Sequence, residues 1–87
     1  MTAEDYSAIL QRAGAALESV TNDIRIVGDG PARFLTAAFG DRGLELYATG
    51  STIIVDPAIG EELQGERTFR TLEDALSFAS EWLTHKA

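Results

Sequence analysis

The sequence predicts an α+β fold: a two-layer sandwich in which an antiparallel sheet of four to five strands carries an N-terminal and a C-terminal helix on one face, in the order α-β-β-β-β(-β)-α. Two observations lead there. Apolar residues recur every three or four positions at both ends of the chain, as on a helix with one buried stripe, whereas between Ile24 and Asp56 they alternate and are cut by turn residues. Two such helices need an apolar surface to cover, and an antiparallel sheet supplies one while leaving its other face to solvent. At 87 residues the chain is expected to form a single domain over residues 1-87.

Thr2-Ala3-Glu4-Asp5 is close to a capping box and places carboxylates in a first turn, where the helix dipole favours them. Tyr6, Ile9, Leu10, Ala13, Ala16, Leu17 and Val20 then form one stripe. Gly14 interrupts it at a cost of about 1 kcal/mol relative to Ala, which points to close approach of the sheet. After Thr21-Asn22-Asp23 the period changes. Ile24 and Ile26 fall on one face of a first strand, with Arg25 and Val27 on the other. Gly28-Asp29-Gly30-Pro31 should reverse the chain into a second strand, Ala32 to Phe39, whose two faces are both apolar.

A turn at Gly40-Asp41-Arg42-Gly43 leads to a third strand in which Leu44, Leu46 and Ala48 alternate with Glu45, Tyr47 and Thr49. After Gly50-Ser51, the β-branched run from Thr52 is expected to end as a strand at Asp56, before Pro57. Ala58 to Glu66 reads as an acidic loop, and Arg67 to Arg70 as a short edge strand. Thr71-Leu72-Glu73-Asp74 repeats the capping signal and opens a helix with Leu72, Ala75, Leu76, Ala79 and Leu83 on its stripe, widened by Phe78 and Trp82.

Composition narrows the functions. Fourteen Asp and Glu against seven Lys and Arg give a formal charge of -7, which disfavours direct contact with phosphate backbones or anionic lipid. No cysteine is present, so disulfides and thiolate chemistry are out. The first residues lack a signal-peptide pattern and no apolar run is long enough to cross a bilayer, which leads to the expectation of a cytoplasmic protein. His85 stands alone near the C-terminus, Gly28-x-Gly30 is followed by Arg33 rather than a third glycine, and the only lysine is Lys86. Neither a catalytic triad, a dinucleotide or nucleoside triphosphate loop, a metal site nor a cofactor is therefore expected, and the chain reads as a non-enzyme.

What remains is binding. Asp56, Glu61, Glu62 and Glu66 lie in and beside the acidic loop, and Glu45 and Tyr47 project from the third strand toward the helix-free side. Such carboxylates on a small rigid scaffold can imitate a phosphate backbone and pair with a basic protein surface. An alternative is a homodimer through the helix-free sheet face, read as presenting Arg25, Val27, Leu35, Phe39, Glu45 and Tyr47, with Leu35, Phe39 and Tyr47 as anchors. A toxin-neutralising immunity protein is a third.

In size, acidity, lack of cysteine and the passage from the acidic loop through Arg67-Thr68-Phe69-Arg70 into the helix from Thr71 to Leu83, the chain resembles small anti-CRISPR proteins of phages and mobile elements. The resemblance implies stoichiometric inhibition without catalysis, by docking on a nucleic-acid-binding subunit of a CRISPR surveillance complex, in the manner of a DNA mimic. It implies no particular site residue.

Overall fold

The computed structural model describes residues 3–29 and 32–85, with side chains from residue 5 onward. Helix α1 (Ala3–Leu17) is followed by strands β1 (Asp23–Val27), β2 (Phe34–Phe39), β3 (Arg42–Thr49), β4 (Thr52–Ile59), β5 (Glu62–Leu63) and β6 (Arg67–Phe69), and the chain closes with helix α2 (Leu72–Thr84). The fold is the expected α+β sandwich. Strands β1 to β5 form an antiparallel meander in sequence order, and β6 also pairs with β4. Because β5 pairs with Ala58 and Ile59 while β6 pairs with Ile53 to Val55, the two occupy successive stretches of the same edge of β4. They amount to one outer strand broken at Gln64, Gly65 and Glu66. Gly65 makes the break with φ +100, a conformation in which a side chain would be strained.

Three two-residue hairpin loops set the register. Gly40-Asp41, Gly50-Ser51 and Gly60-Glu61 lie between the facing pairs Phe39 and Arg42, Thr49 and Thr52, and Ile59 and Glu62. In each loop only the first residue has positive φ, +64, +58 and +60 in order, which is the pattern of a type II′ turn and requires glycine there. The turn expected at residues 40 to 43 is therefore shorter, and Arg42 and Gly43 belong to β3. The loop expected from Ala58 to Glu66 is replaced in part by a third hairpin.

Strand β4 also runs through Pro57, where it was expected to stop. Pro57 sits opposite Leu44, and its carbonyl oxygen accepts from Gln64 N at 2.8 Å on the outer edge. A residue's N–H and C=O point to the same side of a strand, so the missing donor of Pro57 faces the break between β5 and β6 and costs no bond to β3. At the other end, β2 begins at Phe34 rather than Ala32, because Ala32 N still donates to Asp29 O across the preceding turn. Helix α1 ends at Leu17, and Thr21 N and Val20 N fold back onto its carbonyl. The expected cap at Thr2, the turn residues Gly30 and Pro31, and Lys86 lie outside the described residues.

Parity now assigns the faces. Leu35, Ala37, Leu44, Leu46, Ala48, Ile53, Val55 and Pro57 are buried beneath the helices, together with Leu10, Ala13 and Leu17 of α1 and Ala75, Ala79 and Leu83 of α2. Gly14 faces the sheet, but a Cβ there would stand 3.6 Å from Leu35 Cδ1 and 3.8 Å from Ile24 Cγ2, which is ordinary contact, so the close approach its position suggested does not require glycine. Ala16, expected on the stripe, is exposed.

Helix α2 starts where Thr71 accepts from Asp74 N at 3.1 Å, with Glu73 and Asp74 in its first turn. Its aromatic flank forms a row from Phe69 through Phe78 to Trp82, with ring centroids 5.5 and 6.4 Å apart. Arg67 lies 5.8 Å from the Phe78 ring, and Arg42 lies 4.2 Å from the Trp82 ring, whose Nε1 donates to Gly43 O at 2.9 Å. These contacts tie α2 to β3 and β6, and among the described residues the opposite face of the sheet is uncovered.

Candidate functional site

The uncovered face is built by alternation. With Leu44, Leu46 and Ala48 directed inward, Glu45, Tyr47 and Thr49 are directed outward, and the pairing of β3 with β4 brings Asp56 directly opposite Glu45 and Ile54 directly opposite Tyr47. Thr36 and Arg25 continue the row of Glu45, while Thr68 lies beyond Ile54. Phe34 pairs with Val27 and joins Tyr47 in lining an open hollow of about 400 Å³ at one end of this face. The face thus has a half-buried apolar centre of Phe34, Tyr47 and Ile54, and carboxylates beside it.

Those carboxylates converge on one hydroxyl. Tyr47 Oη donates to Glu66 Oε2 at 3.3 Å. Its pKa is raised from the ordinary tyrosine value of 10.0 by burial first, then by the negative charges of Asp56 and Glu66, the hydrogen bond to Glu66, and the charge of Glu45. Glu45 and Asp56 are like charges in directly facing positions, an arrangement that works against the sheet by up to about 1 kcal/mol. The base in their row, Arg25, is two strands from Glu45, about 10 Å at the usual spacing. The sheet therefore holds a local excess of negative charge on a rigid surface. Among the described residues, no group of three or more His, Asp or Glu is placed to hold a metal ion.

The six residues singled out from the sequence divide. Glu45, Tyr47, Asp56 and Glu66 come together on the open face. Glu61 sits in the third hairpin loop, and Glu62 faces Ile59, on the helix side of the sheet, so neither joins them. Hairpin formation causes the separation, since it turns what read as one acidic loop into two strand ends and a turn. The proposed anchors of a face-to-face dimer divide as well. Leu35 is 0% exposed beneath the helices, and Phe39, opposite Arg42 and 51% exposed, lies at the rim of the helix side. Tyr47 is on the open face; Leu35 and Phe39 are not. Phe34 and Ile54 take their places, and the sequence concealed this because both faces of β2 are apolar.

The hollow beside Tyr47 also contains Tyr6, Arg33 and Thr49. Arg33 Nη1 donates to Ser7 Oγ at 3.0 Å and Tyr6 Oη accepts from Gly50 N at 3.3 Å, which fix its walls to the first turns of α1. His85 is the exposed C-cap of α2 and stands apart from this face. No helix among the described residues is long and apolar enough to cross a membrane.

The class of protein defined by this geometry is a small α+β scaffold with one helix-covered and one open sheet face, the open face carrying an acidic and aromatic patch. No protein-family model, curated protein or solved structure matches the chain.

Proposed function

We propose that the chain is a non-catalytic binding protein that docks its open sheet face on a basic protein surface, and that the surface belongs to a nucleic-acid-handling complex of the cytoplasm, as for the anti-CRISPR inhibitors that the sequence resembles. The observation supporting this reading is the facing pair Glu45 and Asp56, held with Glu66 around Tyr47. Like charges in register oppose the fold and favour whatever cation lies over them. A guanidinium suits the site best: it can pair with two carboxylates at once and lay its plane against Tyr47 or Phe34. The same carboxylates argue against two open faces meeting, because Glu45, Asp56 and Glu66 of one copy would oppose those of the other. Attraction at a distance would speed encounter and the apolar centre would hold the complex after contact.

The test is capture from host lysate with the native protein and with the E45Q/D56N/E66Q variant, each at low and high salt. The native protein is expected to retain a basic nucleic-acid-binding subunit at low salt, to release it as salt rises, and to lose it in the variant. Recovery of a basic toxin in place of such a subunit would redirect the reading to an immunity protein. Equal capture by both forms would remove the open face from the interaction.

A further inference from the structure

Strand β1 is an end of the sheet, and the two ends differ. The outer edge of β4 is occupied by β5 and β6, which are short and broken at Gly65, features that discourage further pairing. Along β1, by contrast, five consecutive residues without proline or positive φ are paired on one side only among the described residues. Between this free edge and α1 runs an open groove of about 660 Å³, lined on the strand side by Thr21, Asn22, Ile24 and Ile26. Its helix side includes Gly14 and Ala15, which leave room for incoming side chains. Ile24 and Ile26 are half-buried and turn their remaining surface to this groove.

We propose that the groove is filled by a second copy of the chain, with the two β1 edges pairing antiparallel about a two-fold axis at Ile24. The charges select the register. Facing residues of an antiparallel pair share a sheet face, so the axis must pass through a residue position. An axis at Asp23 sets Asp23 against itself, and one at Arg25 sets Arg25 against itself. At Ile26 or Val27 the pairing runs into Gly28, where φ is +92 and the strand has ended, and Asp23 is left without a facing base. An axis at Ile24 instead places Asp23 opposite Arg25 of the second copy twice over, with Ile24 against Ile24 on the groove side. The groove's strand-side lining, Thr21 to Ile26, is centred on the same position.

This dimer uses the sheet edge and leaves the open face free, so it stands independently of the function proposed above. It would join two open faces into one continuous surface bearing two acidic patches.

The chain has no cysteine, which makes the register directly testable by cross-linking. Asp23→Cys and Arg25→Cys proteins, mixed under mild oxidation, are expected to form a mixed disulfide in preference to either self-linked species. Sedimentation of the native protein should give twice the 9.4 kDa chain mass at high concentration. Arg25→Asp should weaken the dimer by about tenfold, since it turns two attractive pairs into repulsive ones, and the D23R/R25D double variant should restore it. E45Q/D56N/E66Q should leave it unchanged. A monomeric mass at every concentration overturns the proposal, as does self-linking of Arg25→Cys that outruns the mixed product, or a failure of the double variant to recover.

Discussion

Gly14→Ala should stabilise this protein, contrary to the expectation for a buried helix glycine pressed against a sheet. Glycine in a helix interior is about 1 kcal/mol less favourable than alanine, largely through the freedom that the unfolded chain gives up. The added methyl would lie 3.6 Å from Leu35 Cδ1 and 3.8 Å from Ile24 Cγ2, which is ordinary van der Waals contact without overlap. Burying one methyl adds at most about 0.8 kcal/mol. The sum is a gain of about 1–2 kcal/mol. For a domain of this size each kcal/mol moves the melting midpoint by about 4–8 °C, so a rise of at least about 4 °C is expected. Urea unfolding followed by circular dichroism measures it, with an unchanged slope and a higher midpoint. Gly14→Leu supplies the opposite sign, because the same gap cannot take three more carbons without displacing α1, at a cost of about 1–3 kcal/mol. A urea midpoint lowered by Gly14→Ala would mean that α1 lies too close to β1 and β2 to admit a methyl group.

Two further perturbations separate the faces and the charges. Leu35→Ala should cost about 3–5 kcal/mol in urea unfolding, since Leu35 is wholly buried between α1 and the sheet, whereas Phe34→Ala, one residue away on the open face, should cost less than about 1.5 kcal/mol. Equal losses would mean that the sheet face beneath the helices has been misassigned. Tyr47 holds its proton in the fold above the pH near 10 at which the unfolded chain gives it up, so its contribution to stability is complete below about pH 10 and is lost as pH rises through the higher folded value. In a Tyr6→Phe background, the phenolate absorbance of Tyr47 should appear late, and D56N/E66Q should move it part of the way back, leaving the effect of burial. A titration unmoved by those two substitutions would show that the carboxylates do not gather at its hydroxyl.

The binding test and the edge-pairing test bear on different surfaces. Loss of partner capture in E45Q/D56N/E66Q with an intact dimer would assign recognition to the open face alone. The reverse pattern, an Arg25→Asp protein that is monomeric yet still captures its partner at low salt, would show that pairing of copies is separable from recognition. Arg25, Glu45 and Glu66 are exposed and Asp56 is half-buried on the open face, so each variant is expected to fold.

The sequence by itself determined the kinds of elements and their order. The stripe of Leu10, Ala13 and Leu17, the stripe of Ala75, Ala79 and Leu83, and the alternation of β3 are local patterns, and a local pattern is enough to tell a helix from a strand. Glycines at 40 and 50 also marked two turns between strands, whereas Gly60 was hidden in a stretch whose acidic residues read as a loop. Only the tertiary structure decided which face of β2 is buried, because Phe34 and Leu35 are both apolar and choosing between them requires the helices to be in place. It alone carried β4 through Pro57, because whether a missing N–H matters depends on which neighbour it would have faced. It alone brought Glu66 from beyond Gly65 to Tyr47 while sending Glu62 to the other side, since charges distant in sequence become neighbours only once strand pairing fixes their register.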